Sequence, residues 1–173
     1  MTVPQGLSVE RHRDLAGRAH QVWYRRALIL VLVAIVALAL ANFFGQKPTT
    51  SRAQSAAASL ELQAPERVRG GLMFQGRFTL LARQDLKTPK LILTPGWFEQ
   101  MTVNGLEPQP STQTTRNGDV VLTFDSLKAG QRLVFWTYFQ VNPTNIGRRT
   151  QDVELDDGNT PLLRLNRTVT IFP

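Results

Sequence analysis

A single uninterrupted apolar segment divides this sequence into parts. Residues 27–41 read ALILVLVAIVALALA and contain no polar side chain. A helix rises about 1.5 Å per residue, so a helix from residue 27 to Phe44 would be about 27 Å long, close to the bilayer hydrocarbon thickness of about 30 Å. A surface helix of a soluble protein normally keeps a polar stripe at the 3.6-residue period, and this segment has none. We therefore predict a transmembrane helix over residues 23–45.

Basic residues are concentrated on the N-terminal side of this segment. Five arginines precede it against two acidic residues, whereas only Lys47 and Arg52 follow it closely. Because Lys and Arg near a span are retained inside, we expect a single-pass protein of the cell membrane with a cytoplasmic N-terminus and an extracytoplasmic C-terminal domain. The residues expected to anchor the helix at the inner interface are Trp23, Tyr24, Arg25 and Arg26.

Two alternatives stay open in the N-terminal region. The cytoplasmic tail, residues 1–22, is either a solvated topology signal or a basic amphipathic helix on the inner leaflet, because its apolar residues recur at spacings of three and four. The apolar segment is either a retained anchor or a signal peptide cleaved after Ala41, where Ala39-Leu40-Ala41 fits the small-x-small cleavage pattern. The long charged region and the apolar Phe43-Phe44 beyond the cut favour the anchor.

The remainder of the chain shows the periodicity of strands. Residues 46–59, QKPTTSRAQSAAAS, contain no large apolar side chain and are predicted to be a linker. From residue 60 onward, short alternating segments end at Pro, Gly, Asn-Gly or Asp-Gly. About eight such strands, one of them over residues 162–172 and one with a bulge at Gly76, predict an all-β domain at residues 60–173. The expected fold is an immunoglobulin-like antiparallel β-sandwich, with a small barrel as the competing architecture.

One segment of this domain resembles a known family. Residues 117–149 contain an apolar strand, a Leu-x-x-Gly turn at Leu127–Gly130, a longer strand at 133–139 and then a Pro/Gly loop. In this order they resemble the second half of the immunoglobulin-like repeats of exported bacterial surface proteins. The likeness is to single-span bacterial envelope proteins that carry one such exported domain. The resemblance covers about a fifth of the chain and implies an adhesive, spacer or scaffolding role.

The chemistry open to the domain is limited by two missing residue types. The chain has no cysteine, and both histidines, His12 and His20, precede the apolar segment. The domain therefore lacks the residues of a Ser-His-Asp triad, a Cys-His pair or a zinc site. We expect no enzymatic activity, no catalytic residue, no cofactor and no metal. In the acidic segment Asp152–Asn159, a Ca²⁺ site is the alternative to an ordinary strand and hairpin, and the hairpin is favoured.

Two loops are the candidates for partner binding. Trp97 and Phe98 directly follow a Pro-Gly turn, and we expect one ring to plug the end of the core and the other to be open to a partner. Arg148 and Arg149 end the loop that begins at residue 142. Their guanidinium groups are candidates for contact with lipid phosphates, an envelope polymer or an acidic protein surface.

The net charge of +7 is spread along the chain without a dense basic block. This distribution favours attraction to anionic lipid over binding of nucleic acid. The expected partners are the lipid bilayer and another envelope protein, in particular a multi-span membrane protein. No nucleic acid or small-molecule substrate is expected. The alternative function is a module that binds cell-wall carbohydrate or ions.

Overall fold

The structure is a computed structural model that describes residues 19–43 and 45–173. The chain forms two compact units, and the boundary between them falls between residues 44 and 45. The described part of the first unit is one α-helix, and the second unit is built from strands. The interfacial helix was predicted in the basic tail. Residues 1–18 of that tail lie outside the part of the chain that the structure describes, so the prediction stays a prediction.

The apolar segment is helical, and the helix ends earlier than predicted. Helix α1 covers Ala19–Leu40, 22 residues, and is therefore about 33 Å long. Its length and composition suffice to cross a membrane. Asn42 takes a left-handed φ of 54°, the N–H of Asn42 donates to Ala39 O, and that of Phe43 donates to Leu38 O, each at 3.0 Å. This is a Schellman cap, which satisfies the last carbonyls and stops the helix, so the predicted end at residue 45 is wrong.

The second unit is a β-sandwich. Its two large sheets have five strands each, in the orders β1-β2-β4-β9-β6 and β12-β11-β5-β8-β7, and a third sheet has the order β10-β13-β3. All pairings among the described strands are antiparallel except that of β13 with β3. The strands are β1 (Pro48–Gln54), β2 (Ala58–Pro65), β3 (Arg67–Arg69), β4 (Met73–Ala82), β5 (Pro89–Leu93), β6 (Met101–Glu107), β7 (Thr112–Arg116), β8 (Asp119–Thr123), β9 (Arg132–Val141), β10 (Gly147–Thr150), β11 (Val153–Asp157), β12 (Thr160–Leu165) and β13 (Thr168–Phe172).

The core is filled from the inward positions of the sheets. Alternate residues of β2 and β4 are buried, as period-2 alternation requires when one face of a sheet is covered. Aromatic rings run through this core in contact with one another, with successive centroids 5.1 to 5.7 Å apart. In order they are Phe74, Phe139, Trp97, Phe78, Phe135 and Phe124. The sandwich prediction is confirmed, while the immunoglobulin-like topology in particular stays a prediction.

The predicted linker is wrong. Residues 48–54 form strand β1, and β2 already begins at residue 58, so the domain starts before residue 60. Strand β1 pairs with β2 in continuous register from Pro48 opposite Pro65 to Gln54 opposite Ser59. It is an edge strand whose residues are exposed or half-buried. Main-chain pairing stabilises it, and such pairing needs none of the apolar residues on which the prediction depended.

The predicted strand over residues 162–172 is two strands in different sheets. Strand β12 pairs with β11, whereas β13 pairs with β10 and β3. The break falls at Asn166-Arg167, where the chain passes from one sheet to the other. The described residues form thirteen strands, whereas about eight were predicted. The prediction was low mainly because it merged some short strands and missed others.

Gly76 does not mark a bulge. It pairs in unbroken register with Thr137 of β9. A Cβ at residue 76 would lie 2.6 Å from Thr137 Oγ1. Glycine is therefore needed here because the buried side chain of Thr137 lies so close, and not because the strand contains an extra residue. Register shifts occur instead between Val103 and Gly105 in β6 and between Leu155 and Asp156 in β11.

Candidate functional site

Trp97 is a core residue. Its side chain is 0% exposed, and its ring lies 5.6 Å from the rings of both Phe78 and Phe139. The indole N–H donates to Asp152 O at 3.3 Å, so the polar atom of the ring is also satisfied inside the fold. Trp97 fills the core in the way expected for one of the two aromatic residues. Its assignment as a partner-binding residue is therefore wrong.

Phe98 is half-buried and packs on the edge of the same core. Its ring meets that of Phe139 edge-to-face at a centroid distance of 5.9 Å. The 3₁₀ turn Pro95–Trp97 fixes this position, because Phe98 N–H donates to Pro95 O at 2.8 Å. Only part of the ring is therefore accessible from outside.

The two loops that the sequence singled out are neighbours in the structure. A Cβ on Gly96 would lie 2.1 Å from Thr150 O, so only glycine lets the turn approach β10 this closely. The buried side chain of Asn145 donates to Glu99 O at 3.1 Å and accepts from Arg149 Nη2 at 3.2 Å. The loop that contains Trp97 and the loop that contains Arg148 are therefore held together by hydrogen bonds and close packing.

The two arginines have different environments. Arg149 is half-buried, and its Nε lies 3.6 Å from a carboxylate oxygen of Glu99. Arg148 is exposed. Of the four domain residues predicted to bind a partner, Arg148 therefore has the most accessible side chain. The anchor residues Trp23, Tyr24, Arg25 and Arg26 lie near the start of α1 with exposed side chains.

Arg164 pairs with two of the four acidic side chains of the segment Asp152–Asn159. Arg164 donates to a carboxylate oxygen of Asp152 at 2.8 Å and of Glu154 at 2.7 Å. The hydrogen bond that Arg164 donates to Asp152, and then the charge of Glu154, raise the pKa of Arg164. A hairpin joins β11 to β12 as predicted, but its two-residue turn is Gly158-Asn159, one residue later than expected, because Asp157 still pairs with Thr160. Within residues 19–43 and 45–173, no three His, Asp or Glu side chains are grouped closely enough to hold a metal ion.

Arg167 is a buried arginine that the sequence reasoning missed. Its guanidinium donates to Gln151 Oε1 at 2.6 Å and to the main-chain oxygens of Ala64 and Pro65. The group also lies 5.7 Å from the centroid of the Trp97 ring. Desolvation lowers the pKa of Arg167 to about 10, because burial disfavours the charged form. These contacts hold the break between β12 and β13 against the end of β2, which is a structural role.

The second missed feature is the outer face of the first sheet, here called the Trp136 face. In register across the sheet lie Gln63 of β2, Arg77 of β4 and Trp136 of β9. The Arg77 guanidinium stacks over the Trp136 ring at 4.9 Å from its centroid. Tyr138 and Gln75 form the next row, directly opposite each other. Aromatic, guanidinium and amide groups therefore share one accessible, regular surface.

A shallow concavity of about 300 Å³ opens on this face. Two of the residues that line it have buried side-chain nitrogens, Arg77 Nε and Gln46 Nε2, without a hydrogen-bond partner among the described residues. Two donors without acceptors indicate a place where an acceptor of another molecule would be stabilised. The lining residues are Gln46, Pro48, Gln63, Pro65, Met73, Phe74, Gln75, Arg77 and Trp136.

The sequence contains a signal for this surface. Strand β9 reads RLVFWTYFQV, with Phe135 and Phe139 at inward positions and Trp136 and Tyr138 at outward ones. A strand with one solvated face usually alternates apolar with polar residues. Large aromatics on both faces are a departure from that pattern and could have pointed to the Trp136 face.

Comparisons with known proteins give only distant similarities. No protein-family model matches the sequence, and no curated protein matches it. Among solved structures, CaCohA2 from Clostridium acetobutylicum is 12% identical, with a TM-score of 0.41 over 61% of this chain and 86% of that one. A non-cellulosomal cohesin from Archaeoglobus fulgidus is 13% identical, with a TM-score of 0.40 over 73% and 92%. The C-terminal domain of wzt is 16% identical, with a TM-score of 0.42 over 75% and 81%. With TM-scores below 0.5, these similarities carry no argument about this chain.

Proposed function

We propose that this protein is a membrane-anchored binding module whose extracytoplasmic β-sandwich holds another protein of the cell envelope through the Trp136 face. The partner is a membrane protein, and the module scaffolds it without catalysing a reaction. The absence of cysteine and the position of both histidines before residue 27 support the non-enzymatic role.

The stacked pair of Arg77 and Trp136 is the observation that carries this proposal. Trp, Tyr and Arg are the residue types most enriched among interface residues that dominate binding energy. Arg77, Trp136 and Tyr138 are half-buried and lie on adjacent strands, so their conformational freedom is already restricted. A partner that binds such an ordered surface loses little entropy in fixing it.

The same pair favours a protein over a carbohydrate. A sugar ring usually binds an aromatic residue by lying on its open face, and the guanidinium of Arg77 already covers one face of Trp136. The unpartnered Arg77 Nε and Gln46 Nε2 suit a carboxylate or a main-chain carbonyl. An acidic side chain of a partner protein supplies such a group.

The proposed location of the domain rests on α1 and on the charged residues beside it. Five arginines before residue 27 support a cytoplasmic N-terminus and an extracytoplasmic sandwich. Helix α1 remains attached as an anchor, without cleavage after Ala41. Anchoring confines the module to the plane of the membrane, so its effective concentration at a membrane partner is high and a weak contact suffices.

Site-specific crosslinking in cells tests the partner and the surface together. A photo-crosslinking residue replaces exposed Gln75 on the Trp136 face or, as the matched control, exposed Thr114 on β7 of the other sheet. We expect one discrete protein adduct from position 75 and none from position 114. The adduct should fall at least about 30-fold with Trp136→Ala, as for a hot-spot residue worth about 2 kcal/mol.

Arg77→Gln is a second variant for the same test, because it keeps the Trp136 ring and removes the guanidinium. It should also reduce the adduct while near-ultraviolet circular dichroism stays unchanged. Equal adducts from both sheets would contradict the proposal. Binding to purified wall polysaccharide that Trp136→Ala abolishes would replace it with the carbohydrate alternative.

A further inference from the structure

The exposed large apolar side chains of the sandwich are not scattered. Among its described residues they are Leu72, Met73, Val103 and Ile146, and the most exposed are Met73 at 57% and Ile146 at 54%. Single exposed apolar residues are normal on a soluble surface, whereas a cluster indicates a contact. These four belong to segments that meet at one end of the sandwich.

Main-chain contacts join these segments. Gly71 N–H donates to Val141 O at 2.9 Å, and Asn142 N–H donates to Gln100 O at 3.0 Å. A Cβ on Gly70 would lie 2.8 Å from Pro143 O, so the two loops touch. We call this region the tether end and define it as residues 45–47, 66–73, 99–103 and 142–149.

The tether end is basic. It contains five Lys or Arg residues and two acidic residues, Glu66 and Glu99. Glu99 lies beside Arg149, which reduces its effect on the rest of the surface. Arg148 and Arg67 face the same side of the third sheet, because both pair with Thr170 in register. Exposed Arg69 follows on the same strand as Arg67.

The chain enters the sandwich at this end. Gln46 lines the same concavity as Met73 and Phe74, and β1 starts at Pro48 opposite Pro65. Seven residues, 41–47, lie between the end of α1 and the start of β1, and a segment of that length spans at most about 25 Å. A membrane that contains α1 would therefore be within reach of the tether end.

We propose that the tether end docks on the surface of an anionic lipid bilayer, with Leu72, Met73 and Ile146 in the headgroup region and Arg69 and Arg148 on lipid phosphates. Apolar side chains bordered by basic ones are typical of surfaces that bind the membrane interface. Docking orients the domain relative to the bilayer. Met73 also lines the concavity of the Trp136 face, so the two surfaces adjoin, whereas Tyr138 and Trp136 lie in rows farther along the sheet and stay open to a neighbouring membrane protein. The proposal does not depend on the identity of that protein.

Fluorescent labelling of the full-length protein in nanodiscs tests this contact. The chain has no cysteine, so Ile146→Cys gives a single site for an environment-sensitive dye. Ala129→Cys, exposed in the connection between β8 and β9, is the control at the other end. In nanodiscs that contain phosphatidylglycerol, we expect acrylamide quenching at residue 146 to be several-fold weaker than at residue 129, with a blue-shifted emission.

Charge variants separate lipid binding from mere proximity. Arg69→Gln with Arg148→Gln should restore quenching at residue 146, whereas Lys87→Gln with Arg132→Gln removes the same charge from the other end and should not. Protection should also weaken at about 1 M salt, where the Debye length is about 3 Å. Equal quenching at residues 146 and 129 in anionic nanodiscs would overturn the proposal. Protection that appears only when two copies share a nanodisc would assign the surface to self-association and also overturn it.

Discussion

At the scale of single residues, the two neighbouring aromatics of the Pro95–Met101 loop have unequal roles. Trp97 is enclosed by core rings, and Phe98 covers the edge of one of them. The sequence alone could assign one ring to the core but could not say which. That choice depends on the 3₁₀ turn Pro95–Trp97, which turns Trp97 inward, and on a main-chain acceptor, Asp152 O, that becomes available only in the fold.

Trp97→Ala should therefore destabilise the domain by about 3 to 5 kcal/mol, as large-to-small changes of buried aromatics do. Phe98→Ala should destabilise it by roughly 1 to 2 kcal/mol, because only part of that ring is removed from water. Urea unfolding in detergent, followed by near-ultraviolet circular dichroism, measures both. A smaller effect at Trp97 than at Phe98 would contradict the assignment.

Arg167 is the other residue whose role follows from burial. It continues the inward series of Leu165, Val169 and Ile171. Its alternating position could have indicated an inward side chain, but its charge argues for an outward one, and its burial was not predicted from the sequence. The acceptors that make burial tolerable, main-chain oxygens at the end of β2, are about a hundred residues away in sequence and cannot be foreseen from local pattern.

Arg167→Met should lower the free energy of unfolding by more than about 3 kcal/mol, because buried acceptors are left unsatisfied. Arg132→Met, at an exposed arginine of β9, should change it by less than about 0.5 kcal/mol. Thermal unfolding of the two variants in the same detergent compares them. Equal stability would show that the hydrogen bonds of Arg167 do not matter.

At the scale of elements, the strongly patterned strands were predictable and the weakly patterned one was not. Strand β9 follows its predicted segment closely, because it buries side chains at alternate positions. Strand β8 is also short and apolar, and it buries the adjacent residues Val121 and Leu122. Strand β1, PTTSRAQ, has no such residues. Its position depends on pairing with β2, to which the exposed Arg52 adds an ion pair with Glu61 at 2.8 Å.

That pair predicts a pH dependence specific to β1. The hydrogen bond from Arg52, and then that from Gln63, lowers the pKa of Glu61 below its ordinary value of 4.5. A carboxyl whose pKa is lower in the folded than in the unfolded protein stabilises the fold when the pH is above the unfolded-state pKa. That stabilisation is lost as the pH falls through the folded-state pKa. Wild type should therefore be more stable than Glu61→Gln at pH 7, by less than about 1 kcal/mol.

The advantage over Glu61→Gln should shrink as pH falls below 4.5, the ordinary pKa of this carboxyl, and passes through its lowered pKa in the folded protein. Thermal midpoints of the two proteins across this range measure it. Arg83→Gln, which leaves the pair of Arg52 and Glu61 intact, serves as the control for a general loss of charge. A constant difference between wild type and Glu61→Gln at all pH values would mean that β1 is not held to β2 by this pair.

At the scale of the whole molecule, an apolar helix and a β-sandwich are joined by a short segment, and the sandwich carries two adjoining surfaces that share Gln46 and Met73. The Trp136 face is regular and aromatic, whereas the tether end is irregular, apolar and basic. The sequence predicted the division into helix and β domain because the two periodicities differ so strongly. It did not predict the surfaces, since each combines residues from several strands or loops that only the sheet register brings together.

The central claim, that α1 spans the membrane once and presents the sandwich outside the cytoplasm, is tested most directly by labelling single cysteines in spheroplasts. Because the chain has no native cysteine, Thr2→Cys and Ala129→Cys each report one side of the membrane to an impermeant maleimide. Labelling of position 129 in intact spheroplasts, with position 2 labelled only after permeabilisation, is the predicted result. Labelling of position 2 and protection of position 129 would contradict it.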